Sequence, residues 1–259
     1  MNDEQASETQ VDRPRRRRGI YLLPNALTTA ALFAGFYAIV AAMHDRFEAA
    51  VIAIFVAMVL DGLDGRVARM TQTQSDFGGE YDSLADMVSF GLAPALVVYA
   101  WALDTLGKTG WLAAFVFTAG AALRLARFNT QKGVVDKRYF QGLASPTAAA
   151  LVAGLVWVGV DLGVEGEEMR LVAFAVTVAA GLLMVSNLRY RSFKDFDARG
   201  RVPFMVAVVV MLLFTIVFIQ PPLMLFALAS AYTLSGIVMT LVELQRRRRE
   251  RRRGDGDRP

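Results

Sequence analysis

The sequence predicts an all-α, polytopic membrane helical bundle of about eight transmembrane helices, with both termini cytoplasmic. Three observations predict it. The chain has 259 residues, 55% of them hydrophobic, and a mean hydropathy of +0.39. Its apolar residues gather into eight runs, at about 22–43, 49–70, 83–102, 110–127, 145–161, 170–188, 203–219 and 221–242. Runs near 20 residues match the thickness of a bilayer's hydrocarbon, and a soluble core would not repeat them. Charge supplies the third observation. Threading eight spans puts 25 of the 28 basic residues with the two termini and the connections after spans two, four and six. Only Arg46, Lys108 and Arg170 fall opposite, beside the acidic loop Asp161 to Glu168. Basic loops stay inside, so this asymmetry directs both termini to the cytoplasmic side of an inner membrane.

Residues 1–19 are a basic, disordered N-terminal arm, too polar for a cleavable signal peptide. Leu22-Leu23-Pro24-Asn25 starts the first span, where Pro24 suits a first helical turn. His44, the lone histidine, falls in the following outer turn as a solvated residue. A short polar turn, 71–79, joins spans two and three. The longest inner connection, 128–144, contains Gly133 and Gly142 and folds over the inner side. A second basic inner connection covers 189–202, and Gln220-Pro221-Pro222 makes a tight outer turn. Residues 20–243 thus form one membrane domain, followed by an Arg-rich cytoplasmic tail, 244–259. Directly after a span, Arg246 to Arg253 reads as an anchor for anionic lipid, at about 1 kcal/mol per basic residue, rather than as a nucleic-acid site. Gly159-x3-Gly163 reads as ordinary small-residue packing. With no cysteine, the chain has neither disulfides nor a thiolate nucleophile.

The chemistry concentrates at the inner ends of spans two and three. Asp61 and Asp64 are three residues apart and share a helix face, about 4.5 Å apart along the axis. Asp82 and Asp86 are four apart on the next helix. The short turn makes these helices antiparallel neighbours, so four carboxylates converge. Like charges so placed repel unless a cation is held between them. Hard oxygen ligands suit Mg²⁺ or Mn²⁺, and four negative charges balance two divalent ions. Paired ions are what displacement at phosphorus uses. Gly65, Ala68, Gly78 and Gly79 leave room for a bulky ligand, and Arg69 offers a cation to phosphate. Asn25 and Thr28 can reach a nucleotide base, with helix capping as an equal rival. Two other readings compete. Acids at span ends also serve as solvated caps, and buried acids also mark cation transporters. A transport path, however, would set acids along the membrane depth, whereas these four sit at one end beside Arg69.

Asp61-x2-Asp64-Gly65-x2-Ala68-Arg69-x8-Gly78-x3-Asp82-x3-Asp86 resembles the full signature of the CDP-alcohol phosphatidyltransferases, with no position missing. The resemblance implies integral membrane enzymes that displace CMP from a CDP-linked substrate with the hydroxyl of a second one. It implies that Asp61, Asp64 and Asp82 bind the metals, and that Asp86 completes the second metal site and serves as general base. Gly65, Ala68, Arg69 and Gly78 would line the CDP pocket, with Arg69 on the diphosphate. Homodimerisation enters only through this resemblance. Ser89 to Pro94, Arg124 to Asn129, Tyr139 to Pro146 and Leu183 to Lys194 are similar to the branch that takes L-serine as acceptor and CDP-diacylglycerol as donor. One departure is Ala144, where that branch implies proline. Ser89, Arg124, Arg127, Arg191 and Lys194 are the acceptor-side candidates. The basic ones suit the acceptor's carboxylate, or merely orient the protein. Glycerol 3-phosphate or inositol phosphate as acceptor would demand a denser basic pocket.

Overall fold

A computed structural model describes residues 22–73, 75–130, 139–191, 211, 215 and 217–254. Helix α1 (Leu22–Ala42) and α2 (Phe47–Met70) form an antiparallel hairpin. Alanine at every third or fourth position lets their backbones approach closely. Ala31, Ala34, Ala38 and Ala41 bury against the α2 stripe of Ala50, Ala53, Ile54 and Ala57. In hydrocarbon, where the hydrophobic effect cannot drive helix association, such small-residue contacts supply the packing. His44 sits exposed in the turn between them, its ring Nδ1 2.8 Å from Val40 O. Asp61 lies about 20 Å farther along α2, at 1.5 Å per residue.

The chain then turns sharply. Thr71 Oγ1 donates to Val67 O at 2.7 Å, and Thr73 N–H donates to Ala68 O at 3.1 Å. Ser75 caps the next helix by accepting from Gly78 N–H at 3.0 Å. The polar turn is therefore shorter than the 71–79 expected, because the Ser75 cap starts α3 (Asp76–Asp86) at Asp76. This helix does not stop at Asp86. It runs on through a π-helical segment (Met87–Leu92), α4 (Ala93–Val98), a second π-helical segment (Tyr99–Leu103) and a 3-10 turn (Asp104–Leu106). Asp76–Leu106 is one 31-residue apolar path, longer than the 83–102 expected. Pro94 explains the first π segment. A proline inside an α-helix lacks an N–H, and its ring strikes the carbonyl four residues earlier. The wider register, with Ala93 N–H on Val88 O, relieves that clash without breaking the rod.

Helix α5 (Lys108–Thr130), α6 (Ser145–Asp161), α7 (Gly166–Val185) and α8 (Pro221–Gly254) complete the bundle. Close approaches fix their packing. Methyl-sized groups at Gly120 or Gly159 would strike Gly181 O and the Trp101 ring respectively. Gly159 thus serves internal packing, as its spacing to Gly163 predicted.

Two further features stand at the ends of the helices. Strands β1 (Tyr139–Gln141) and β2 (Arg189–Arg191) pair antiparallel, Tyr139 opposite Arg191, and tie the two inner connections together. Backbone groups of three-residue segments at the end of a bundle have no helix to satisfy them, so they satisfy each other. Helix α8 continues unbroken across residue 244 through the arginine run to Gly254.

Among the described residues, five helices are long and apolar enough to cross a membrane: Leu23–Ala42, Asp76–Leu106, Lys108–Thr130, Gly166–Val185 and Pro221–Thr240. The acids and arginines of α2 exclude it from that set, and α6 is shorter at 17 residues. The arm 1–19, Lys194 and most of the run 203–219 lie outside the described residues.

Candidate active site

The turn at 71–75 brings the end of α2 beside the start of α3, and the acids meet there. One ligand oxygen from each of Asp61, Asp64 and Asp82 lies within 4.8 Å of the others. Asp61 is also within hydrogen-bond reach of Asp86 and Asp82. Carboxylates this close are mutually repulsive unless a proton or cation lies between them. All-oxygen donors with multiple negative charges fit a hard divalent cation.

Helix α1 supplies the wall opposite. Asp64 is the one buried acid among the described residues, 6% exposed, and Thr28 Oγ1 donates to its Oδ2 at 2.6 Å. Thr28 Oγ1 also lies 3.1 Å from Pro24 O. A hydroxyl has one proton, and the shorter, charge-assisted contact takes it. Tyr81 on α3 meets Thr29 through their hydroxyls at 2.9 Å, a second tie from α1 to the acid-bearing helix.

Asn25, Thr28, Asp64, Gly65, Ala68, Arg69, Gly78 and Asp82 all line one cavity of about 640 Å³, within the range of small-molecule sites. A side chain at Gly65 would meet only Arg69 Nη1, at 3.7 Å. The space above Gly65 is thus open rather than filled by protein. At Gly78 an added methyl group would lie 3.5 Å from Asn25 Oδ1 and 3.1 Å from Ser75 Oγ. Pro24, Thr73, Ser75, Asp76, Gly79 and Glu80 line the cavity too. Sequence reasoning missed most of these. Residues 71–79 read as a connecting turn, in which only Gly78 and Gly79 were singled out as leaving room for a ligand.

The acceptor-side candidates scatter. Ser89 belongs to helix packing: it is 1% exposed, and its hydroxyl donates to Ala31 O at 3.0 Å. The π-helical turn after Asp86 swings it toward α1. Arg127 Nη1 donates to Asn187 Oδ1 at 3.4 Å, tying α5 to the end of α7. Arg191 lies in β2. Arg124 stands nearer the acids. It is within electrostatic reach of Asp86 and donates from Nη1 to Ser145 Oγ at 2.9 Å. Next to it along α5, Asn129 Nδ2 donates to Ser83 Oγ at 3.0 Å, holding α5 against α3.

Comparison with known proteins bears on this geometry. Residues 21–186 match the family model described as CDP-alcohol phosphatidyltransferase. A CDP-diacylglycerol–serine O-phosphatidyltransferase of Helicobacter pylori (strain ATCC 700392 / 26695) is 36% identical over 223 residues, covering 86% of this chain and 92% of the relative. Those with the same name from Mycobacterium leprae (strain TN) and Bacillus subtilis (strain 168) are 40% and 32% identical. The first alignment covers 59% of this chain and 53% of the relative, the second 69% and 94%.

Proposed function

The chain belongs to the CDP-alcohol phosphatidyltransferase family, and on that premise we propose that it transfers the phosphatidyl group of CDP-diacylglycerol to L-serine, giving phosphatidylserine and CMP. The observation that carries this reading is the meeting of Asp61, Asp64 and Asp82 within 4.8 Å, with Asp64 and Asp82 on the wall of a cavity of about 640 Å³ and Asp86 beside Asp61. The relatives named for serine transfer support the choice of acceptor.

Asp61, Asp64, Asp82 and Asp86 would hold two divalent ions, Mg²⁺ or Mn²⁺. When bound, such ions neutralise diphosphate oxygens and the charge that develops on the leaving CMP. Thr28 fixes the Asp64 carboxylate in place. Arg69 takes the diphosphate, Gly65, Ala68 and Gly78 give it room, and Asn25 faces the nucleotide. Asp86 takes the serine hydroxyl proton as its oxygen attacks phosphorus, a service a positioned carboxylate can perform. One P–O bond forms to serine and one breaks to CMP. Without cysteine, and with His44 at the far end of α2, no phosphatidyl-enzyme intermediate forms. Trapping a labelled covalent adduct from CDP-diacylglycerol alone would contradict that.

The basic asymmetry of the chain supports eight spans, with both termini and the site on the cytosolic face of the inner membrane. Anionic lipid would gather at the basic ends. The family also supports a homodimer.

Purified protein supplied with CDP-diacylglycerol, Mn²⁺ or Mg²⁺ and one acceptor at a time tests the reading. Serine-dependent CMP release is expected, abolished by EDTA and restored by added metal. CMP release with glycerol 3-phosphate or inositol phosphate but none with serine would reject it.

A further inference from the structure

Helix α3 carries Asp82 and Asp86, yet it has little packing of its own to hold it. Of its eleven residues Ala85 alone is buried, while Phe77 and Leu84 stand exposed. At Met87 the hydrogen-bond ladder changes to the π register. The rod beyond therefore does not by itself dictate how α3 is turned about its axis.

Two hydrogen-bonded chains grip the helix instead, one from each neighbour of Asp82. Tyr81 reaches α1. Thr29 Oγ1 donates its one proton to Asn25 O at 2.7 Å, so the Tyr81 hydroxyl is the donor to Thr29 Oγ1 at 2.9 Å. Phe77, one turn earlier, stacks on the Tyr81 ring with centroids 6.0 Å apart. Ser83 reaches α5. Asn129 Nδ2 donates to Ser83 Oγ at 3.0 Å, and the Ser83 proton goes to Gly79 O at 3.0 Å rather than to Asn129 Oδ1 at 3.3 Å. Each chain ends on the carbonyl of a residue that lines the cavity, Asn25 or Gly79. The partner helices are themselves fixed, α1 by its alanine stripe against α2 and α5 by the close approach of Gly120 to Gly181.

Rigidity of this kind selects cations by size. Mg²⁺ demands near-ideal octahedral geometry at about 2.0–2.1 Å, whereas Ca²⁺ takes roughly six to eight oxygens at about 2.3–2.6 Å in flexible geometry. A carboxylate that cannot retreat favours the smaller ion. We infer that Tyr81 and Asn129 are positioning residues that hold the Asp82 carboxylate against Asp61 and Asp64, and that this two-sided clamp makes the site discriminate against Ca²⁺. Neither residue lines the cavity, so both act through α3. The inference rests on the divalent ions of the proposed transfer and names what sets their size.

Calorimetry of the full-length purified protein with Mg²⁺ alone and with Ca²⁺ alone tests it. Wild type should bind Mg²⁺ more tightly. Tyr81→Phe, Thr29→Val and Asn129→Ala should each weaken Mg²⁺ binding by about 10-fold, the low end for partners that stand behind a metal ligand. Ca²⁺ affinity should hold or rise, so the Mg²⁺-to-Ca²⁺ ratio falls by about the same factor. Thr29→Ser, which keeps the hydroxyl, should retain the wild-type ratio. Equal losses for both ions, or an unchanged ratio in Tyr81→Phe and Asn129→Ala, would overturn the inference and reduce both contacts to helix packing. So would a wild type that binds Ca²⁺ as tightly as Mg²⁺. If Asn129→Ala fails to fold, Tyr81→Phe and Thr29→Val set against Thr29→Ser decide the matter alone. A wild type that takes up neither ion would reject the metal-dependent parent reading, a different signature.

Discussion

The contact between Thr28 and Asp64, at 2.6 Å, joins two helices through residues 36 apart in the chain. It gives Asp64 a fixed orientation before any ligand arrives. Partners of this kind are worth about 10–100-fold in metal affinity. Thr28→Val, which keeps the shape and deletes the hydroxyl, should therefore weaken Mn²⁺ binding by about that factor in calorimetry, and Thr28→Ser should restore it. Asp86→Asn separates binding from chemistry. It keeps the size of the group but cannot accept the hydroxyl proton, so kcat should fall by at least about 10²–10⁴-fold, with CDP-diacylglycerol binding retained. Near-normal turnover in this variant would remove Asp86 from its role. Ala144 tells a quieter story. Its φ of −63° and ψ of 135° are values proline adopts without strain. Ala144→Pro should be tolerated, and should raise stability by about 0.4–1 kcal/mol through the unfolded chain, measurable as a higher midpoint in detergent. Its neighbour Gly142 has no such freedom, since φ is +80° and an added methyl group would strike Met184 O.

At the scale of elements, catalysis depends on how α1 meets the rod from Asp76 to Leu106. Asn25 and Thr28 lie on α1, and Asp82 and Asp86 lie on α3. The spacing between these helices is set about two turns beyond Thr28 on α1, where Gly35 abuts Ser89. A methyl group at Gly35 would come within 2.5 Å of Ser89 Oγ and 2.7 Å of its Cα. Backbone cannot yield as a flexible side chain would, so Gly35→Ala must push α1 away from the π-helical segment. Overpacking of this sort costs about 1–3 kcal/mol. The variant should unfold at lower temperature and also lose activity out of proportion to its stability, because the shift carries Thr28 away from Asp64. The π-helical segment itself has a local cause in Pro94 and a distant effect. By widening the helix just after Asp86, it turns Ser89 toward Ala31 O and leaves the acids on the α2 side. π-helical turns concentrate at functional sites for such reasons.

For the whole molecule, orientation is the decisive property, since a cytosolic nucleotide can be used only if the acids face the cytosol. The chain lacks cysteine, so single engineered cysteines report topology without background. Ser7→Cys and Gly256→Cys should react with a membrane-impermeant maleimide only after the cytosolic side is opened. Gly163→Cys, in the loop after α6, should react from outside in intact cells. Labelling of Gly163→Cys and Gly256→Cys from the same side would refute the odd number of crossings that the eight-span layout puts between them.

Much of this architecture was legible in one dimension because hydrocarbon imposes a length and a polarity on every spanning helix. The apolar runs, and the four acids at fixed spacing on two neighbouring helices, depend only on local periodicity and composition. So did the convergence of Asp61, Asp64 and Asp82, because a turn of a few residues leaves consecutive helices no alternative but to lie side by side. What needed three dimensions was every relation between residues distant along the chain. No spacing rule connects Thr28 with Asp64, Arg124 with Ser145, or β1 with β2. Ser89 was misplaced for the same reason: a motif position looks alike whether its hydroxyl faces a ligand or the carbonyl of Ala31. Local periodicity dictates which face of a helix is polar. Packing alone decides what that face meets.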